Sequence, residues 1–248
     1  MKKQQDGKGK RAGRRILAVV VLLLVSAFLM IGAAQMPAFA EWYSEHIYPL
    51  IVTTVGRVMG IFPFSVVEVC LYLLLAGVAA SVIVLIVNCI RKGGAGNRIF
   101  RWFSKIALTV GILAFLYTVG CGINYYRESF SQAEGIVTSD YGVEELKEVC
   151  LWLTQEVNAA SSAVTRDDSG LMELEAPEGE GAVEAMEKLS ETFSSLEGYY
   201  PEPKKVAVSE ILSYQQLSGV YSPFTVEANY NGDMVSYNIP FTACHELS

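Results

Sequence analysis

Apolar residues gather into three long stretches in the first half of the chain. Residues 16–34 carry no charge, residues 64–90 carry one, Glu68, and residues 106–123 carry none. Each reaches about 18 residues or more, enough for a helix to cross the hydrocarbon core of a bilayer. One such run could equally be the buried core helix of a soluble protein. Three of them within the first 124 residues, with basic flanks, predict an α-helical membrane region with spans over 16–36, 64–90 and 106–124. Residues 37–63 mix Trp42, Tyr43, Ile47, Tyr48 and Leu50 with Glu45, His46, Thr53, Thr54 and Arg57. That mixture suits an interfacial helix acting as an anchor, and the same segment could gate a membrane-proximal cleft. Glu68 falls at the N-terminal end of the second span, where nearby water and the positive end of the helix dipole accommodate a carboxylate.

Beyond residue 124 the pattern changes to that of a separate α+β domain, residues 125–248. Val143, Leu146, Val149, Leu153 and Val157 recur at helical spacing, with Glu144, Glu145, Lys147, Glu148 and Glu156 mostly on other faces. An acidic stretch broken by Gly and Pro, residues 166–181, reads as a loop. A second amphipathic helix is predicted from Val183, Met186, Leu189, Phe193 and Leu196. Lys205-Val206-Ala207-Val208 is a strand candidate, and residues 219–232 read as extended structure ending in an Asn-Gly turn. Asn238-Ile239-Pro240-Phe241 then leads into a final helix. The acidic runs match no calcium loop and read as solvated faces.

Charge divides the chain in the same place. Residues 1–124 carry thirteen Lys or Arg against four Asp or Glu, whereas residues 125–248 carry six against twenty-two. The cations sit in the tail, residues 1–15, and in the loop between spans two and three, residues 91–105; the loop between spans one and two holds only Arg57. The positive-inside rule then places the tail and residues 91–105 in the cytoplasm and residues 125–248 outside the cell membrane. Topology thus accounts for the basic residues, and nucleic-acid binding has no support. Ala38-Phe39-Ala40 resembles a signal-peptidase site, but the 19-residue apolar run before it is longer than a signal peptide uses, which favours a retained span. Cys70, Cys89 and Cys121 fall in apolar spans; Cys150 and Cys244 lie in the outer domain and could pair, though no spacing requires it.

The chemistry is concentrated in Phe241-Thr242-Ala243-Cys244-His245-Glu246-Leu247-Ser248, the opening of a His-Glu-x-x-His pattern. That pattern sets two imidazoles on one helix face to hold Zn2+, with the Glu between them placed to take a proton from the attacking water. His245 is the candidate metal ligand and Glu246 the candidate catalytic base. The second imidazole would be residue 249, and the other histidine, His46, is distant in sequence. On its own, a His-Glu pair reads far more often as a polar pair on an exposed turn. A strand running into a metal-binding helix nevertheless suits peptide hydrolysis, because a strand edge can pair with an extended substrate.

Two longer segments carry a family resemblance in combination: Tyr221-Ser222-Pro223-Phe224-Thr225-Val226-Glu227-Ala228-Asn229 and Pro240-Phe241-Thr242-Ala243-Cys244-His245-Glu246-Leu247-Ser248. Ile61-Phe62-Pro63-Phe64-Ser65 entering span two and Gly122-Ile123-Asn124-Tyr125-Tyr126-Arg127 leaving span three add to it. With these features the chain resembles an uncharacterised family of bacterial multi-pass membrane proteins, classed as a domain of unknown function, with a C-terminal HExxH motif. The resemblance implies a zincin-like outer domain and a zinc metallopeptidase, with His245 on the metal and Glu246 as base. It also implies a second His and a further acidic ligand after them, so the chain is expected to be truncated inside the motif and inactive. Glu227 is expected to line the cleft without binding the metal.

The leading expectation is therefore a membrane-anchored zinc metallopeptidase, present as an inactive fragment, embedded in the lipid bilayer with a peptide or protein substrate at its outer face. The alternative is a non-enzymatic envelope protein, either a pseudo-enzyme or an interaction module. A transporter is disfavoured, because three spans lack paired broken helices or buried charges.

Overall fold

The computed structural model describes residues 2–92, 95–137, 139–170, 181–193, 196, 198–206 and 219–231. Among these residues the chain is mostly helical, with one small sheet. It divides into two compact units. The first comprises residues 1–127 together with Ser222–Glu227, and the second comprises residues 128–221 and 228–248.

The first unit is built on three long helices: α1 (Lys2–Gln35), α5 (Val66–Lys92) and α6 (Ala95–Tyr117). Between α1 and α5 lie α2 (Pro37–His46), α3 (Tyr48–Ile51), a π-turn (Val52–Gly56) and α4 (Arg57–Gly60). After α6 the chain continues through a second π-turn (Thr118–Gly122) and a 3-10 turn (Ile123–Tyr126). Three stretches, Arg11–Gln35, Val66–Arg91 and Ala95–Tyr126, are long and apolar enough to cross a membrane. At about 1.5 Å per residue, even the shortest exceeds a hydrocarbon core of roughly 30 Å. Their side chains face outward as lipid-exposed helices do: Phe28 is 77% and Leu73 68% exposed, and no residue in the apolar window of α5 is buried. The same surface in water would be a large apolar patch.

Small residues set how closely these helices approach. α1 packs chiefly on α6, where a Cβ at Gly111 would lie 3.6 Å from Val19 Cα, the close crossing that small residues permit in lipid. α5 meets α6 where Trp102 Nε1 donates to Ser81 Oγ at 2.9 Å. The interfacial helix predicted for residues 37–63 is a broken one. Its first part supplies Ala40 and Tyr43 to a buried cluster with Ala33 and Ile123. The Tyr43 hydroxyl donates to the carbonyl of Val119 at 2.7 Å, and Arg127 pairs with Glu41 at 2.7 Å.

The second unit holds α7 (Phe130–Ala133), α8 (Val143–Ser161), α9 (Ala182–Thr192) and strands β1 (Lys204–Val206), β2 (Gly219–Ser222) and β3 (Glu227–Asn231). The helix predicted from Val143 to Val157 is α8, which starts where the Glu145 carboxylate accepts from the Gly142 N–H. The second predicted helix is α9, which buries Ala182 and Met186, while Phe193 just beyond it meets Phe130 edge-on at 5.2 Å. The strands form a sheet in the order β1-β3-β2, with β1 parallel to β3 and Lys205 opposite Tyr230. β3 is therefore the central strand, and the edges of the described sheet belong to β1 and β2. Residues 207 and 208 of the predicted first strand, and Gly232 of the Asn-Gly turn, lie outside the described residues.

Burial, and then the neighbouring Tyr48, push the Tyr43 hydroxyl up from 10.0 to about 12. A raised acid binds its proton more tightly in the folded state. Its stabilisation is therefore complete below pH 10 and is lost as pH rises towards 12. We expect Tyr43→Phe to lower stability at neutral pH by about 1 kcal/mol, the worth of one hydrogen bond, and to flatten the loss between pH 10 and 12. Thermal unfolding of the detergent-solubilised chain against pH reads both effects. An unchanged alkaline limb in the variant would show that another group controls it.

Candidate functional site

The segment Ser222–Glu227, which carries much of the family resemblance, belongs to the helical unit although strands flank it. It is polar in sequence yet buried: Ser222, Thr225, Val226 and Glu227 are each at most 7% exposed. Buried polar groups need partners, and the turn supplies several of its own. Ser222 Oγ accepts from the Thr225 hydroxyl at 2.8 Å and from the Thr225 N–H at 3.3 Å, and the Ser222 carbonyl accepts from the Val226 N–H at 2.8 Å. Val226 closes the turn at φ +57°, an unusual position for a β-branched residue. Such a conformation costs of order 1–3 kcal/mol and persists only where surrounding contacts enforce it.

Three features of the helices provide those contacts. The first is the start of α5. Glu227 is 2% exposed, and its two carboxylate oxygens accept from the N–H groups of Val66 and Val67, each at 3.0 Å. Ser65 Oγ takes the next N–H, from Glu68, at 3.4 Å. The first-turn donors that an α-helix leaves unpaired are thus satisfied before the apolar span begins. Glu68, which the sequence places at this same end, instead accepts from the Tyr72 hydroxyl at 2.7 Å.

The other two are the π-turns. Their sequences, Val52-Thr53-Thr54-Val55-Gly56 and Thr118-Val119-Gly120-Cys121-Gly122, share threonine followed by Val-Gly. Thr53 and Thr118 hydrogen-bond back to the carbonyls of Pro49 and Ala114 at 2.7 and 2.9 Å, a habit that bends helices. Glycine then leaves the widened turn bare. A Cβ at Gly120 would lie 2.0 Å from the Pro223 carbonyl oxygen, so the backbone of Pro223 rests where a side chain would be. At Gly56 a Cβ would meet Val226 O at an ordinary 3.6 Å. π-turns occur often at functional sites, and here both receive the same turn.

The residues singled out for chemistry are distributed differently. His245 and Glu246, with Cys244, lie outside the described residues. His46 is exposed, stacked on Trp42 at 5.8 Å, and its Nδ1 lies 3.0 Å from the Trp42 carbonyl. Among the described residues, no three His, Cys, Asp or Glu side chains gather where they could hold a metal ion. Glu227, expected to line a cleft, is a buried helix cap. No local pattern announces this, because its partners lie about 160 residues away.

We expect Gly120→Ala to destabilise the helical unit by about 1–3 kcal/mol, because backbone must move to admit the methyl group. Glu227→Ala should cost about 2–3 kcal/mol, with Glu227→Gln intermediate, through loss of charge-assisted bonds at a helix start. Gly56→Ala should be nearly neutral. Thermal unfolding of the solubilised chain separates them, and equal stability of Gly120→Ala and Gly56→Ala would show that Pro223 does not rest on that turn.

A family model described as a protein of unknown function, DUF3810, matches residues 43–248. No curated protein and no solved structure matches the chain. The match takes in the turn, both π-turns, the start of α5 and the His-Glu segment, and the chain belongs to the DUF3810 family.

Proposed function

We propose that this protein is a membrane-anchored zinc-dependent metallopeptidase whose chemistry is carried by the His245-Glu246 segment. The observation behind the reading is the joint presence in the sequence of residues 221–229 and 240–248, both inside the family match. His245 is the proposed ligand and Glu246 the proposed base. A zinc ion bound there would polarise the peptide carbonyl and acidify water. Glu246 would take the proton of the attacking water and hand it to the departing amine. An extended peptide would pair with an edge strand, β1 or β2, because β3 is already paired on both sides.

In this reading the tail and residues 91–105 are cytoplasmic and residues 125–248 lie outside, as the distribution of Lys and Arg favours. Cys150 is exposed on α8. In a Cys244→Ser background it should react with a membrane-impermeant thiol reagent applied to intact cells. Reaction only after permeabilisation would reverse the orientation.

A second reading, a non-enzymatic pseudo-enzyme or interaction module, is favoured by one observation. α8 buries none of its residues and leaves Val143, Leu146, Trp152 and Val157 more than half exposed. Metal analysis and peptide hydrolysis by the natural membrane-embedded protein decide between the two. The peptidase reading expects His245→Ala to lose zinc. It expects Glu246→Gln to keep zinc and lose hydrolysis by about a hundredfold or more. Hydrolysis retained in Glu246→Gln removes the base role, and a wild-type protein with neither zinc nor hydrolysis leaves the interaction module.

A further inference from the structure

A cavity of about 460 Å³ opens between α1, α5 and α6, at the end of the helices where α5 gives way to α6. Its charged lining is of one sign: Arg11, Arg15, Arg98, Arg101 and Lys105. These cations come from two helices at helical spacing, i and i+4 on α1 and i, i+3 and i+7 on α6, so each helix turns a basic face towards one place. The remaining wall is mixed. Val84, Leu85 and the Trp102 ring supply apolar surface, while Ser81 and Asn88 supply polar groups. Trp102 is fixed there by its bond to Ser81, and Asn88 Nδ2 donates to the Val84 carbonyl at 2.8 Å.

The positive-inside rule accounts for the number of cations at this end, but not for their convergence on one cavity. Like charges at i,i+4 repel, and among the described residues no Asp or Glu lines the cavity. Such an arrangement suits an anion. The apolar wall beside it, continuous with spans exposed to lipid, calls for an anion that carries hydrocarbon. We propose that this cavity binds the headgroup of an anionic phospholipid, with its phosphate among the arginines and its acyl chains along α5. Basic pockets between transmembrane helices take such headgroups by the same chemistry. The site does not depend on the peptidase reading.

The test uses the full chain, delipidated and returned to detergent. It is titrated with phosphatidylglycerol, with phosphatidylcholine or with inorganic phosphate, and followed by thermal unfolding and native mass spectrometry. Phosphatidylglycerol should raise Tm and remain as a discrete adduct, and the other two should not. Arg98→Gln with Arg101→Gln should weaken that binding roughly tenfold or more. Arg14→Gln with Arg91→Gln, which remove two cations from the same end but outside the cavity, should change it little. If the first pair does not yield monodisperse protein, Arg11→Gln with Lys105→Gln, both exposed, serves in its place. Equal stabilisation by phosphatidylcholine overturns the proposal, as does an equal loss in the Arg14 and Arg91 pair, which would mean diffuse surface charge. Stabilisation by inorganic phosphate alone would make the cavity a free-anion site instead.

Discussion

The carboxylate of Glu227 and the first turn of α5 solve two problems with one contact. A buried, ionised carboxylate is costly unless donors surround it, and a helix entering an apolar phase carries N–H groups with nothing to bond. Placing the two together, at 3.0 Å on both oxygens, satisfies each with the other and sets a negative charge at the positive end of the helix dipole. The outward-facing apolar surface of α5 makes this contact more consequential than a cap on a well-packed helix would be. With no buried residue in its apolar window, α5 gains little from packing.

The geometry of that contact governs the rest of the turn. For Glu227 to reach Val66 and Val67, residues 222–226 must lie flat against the helices, which brings Pro223 backbone onto Gly120 and the Val226 carbonyl beside Gly56. An ordinary α-helical turn with a side chain at residue 120 would block that approach. The two π-turns, each with a threonine followed by Val-Gly, widen the helices at the two points of contact, and glycine removes the last obstruction. The positive φ of Val226 is the residual strain of fitting a tight turn between fixed partners. Tyr43 uses the same bulge from another side by donating to Val119.

Much of the scaffold was legible in the sequence, because hydropathy and helical spacing act locally. The long apolar runs give the three long helices. The 3–4 spacing from Val143 to Val157 gives α8, and that from Val183 gives α9, which ends at Thr192 short of the last two apolar positions. Extended residues after Gly219 give two strands rather than one, because Ser222 and Thr225 favour a turn through their own hydroxyls. What could not be read locally was long-range. A glutamate in a strand-like segment looks the same whether it faces a cleft or caps a helix about 160 residues away. The π-turns were equally hidden, since Thr-Val-Gly is compatible with an unbroken helix. The order of strands placed β3 in the centre of the sheet, which a sequence of alternating residues does not determine.

Seen along α5, the helix is held at its start by Glu227 and, just past its midpoint, by the bond from Trp102 to Ser81. The basic cavity adjoins this second fastening, and Ser81, Val84, Leu85 and Asn88 of α5 form one of its walls. A helix with so little protein contact owes its position to these constraints and to whatever fills the space beside them. On the reading proposed, an anion among these cations would reduce their mutual repulsion, and hydrocarbon against Val84 and Leu85 would supply packing that protein does not. The two ends then follow one rule. At each, charge is neutralised where a polar segment meets an apolar one, at the start by a carboxylate from the chain itself, and at the finish, on the reading proposed, by a phosphate from the membrane.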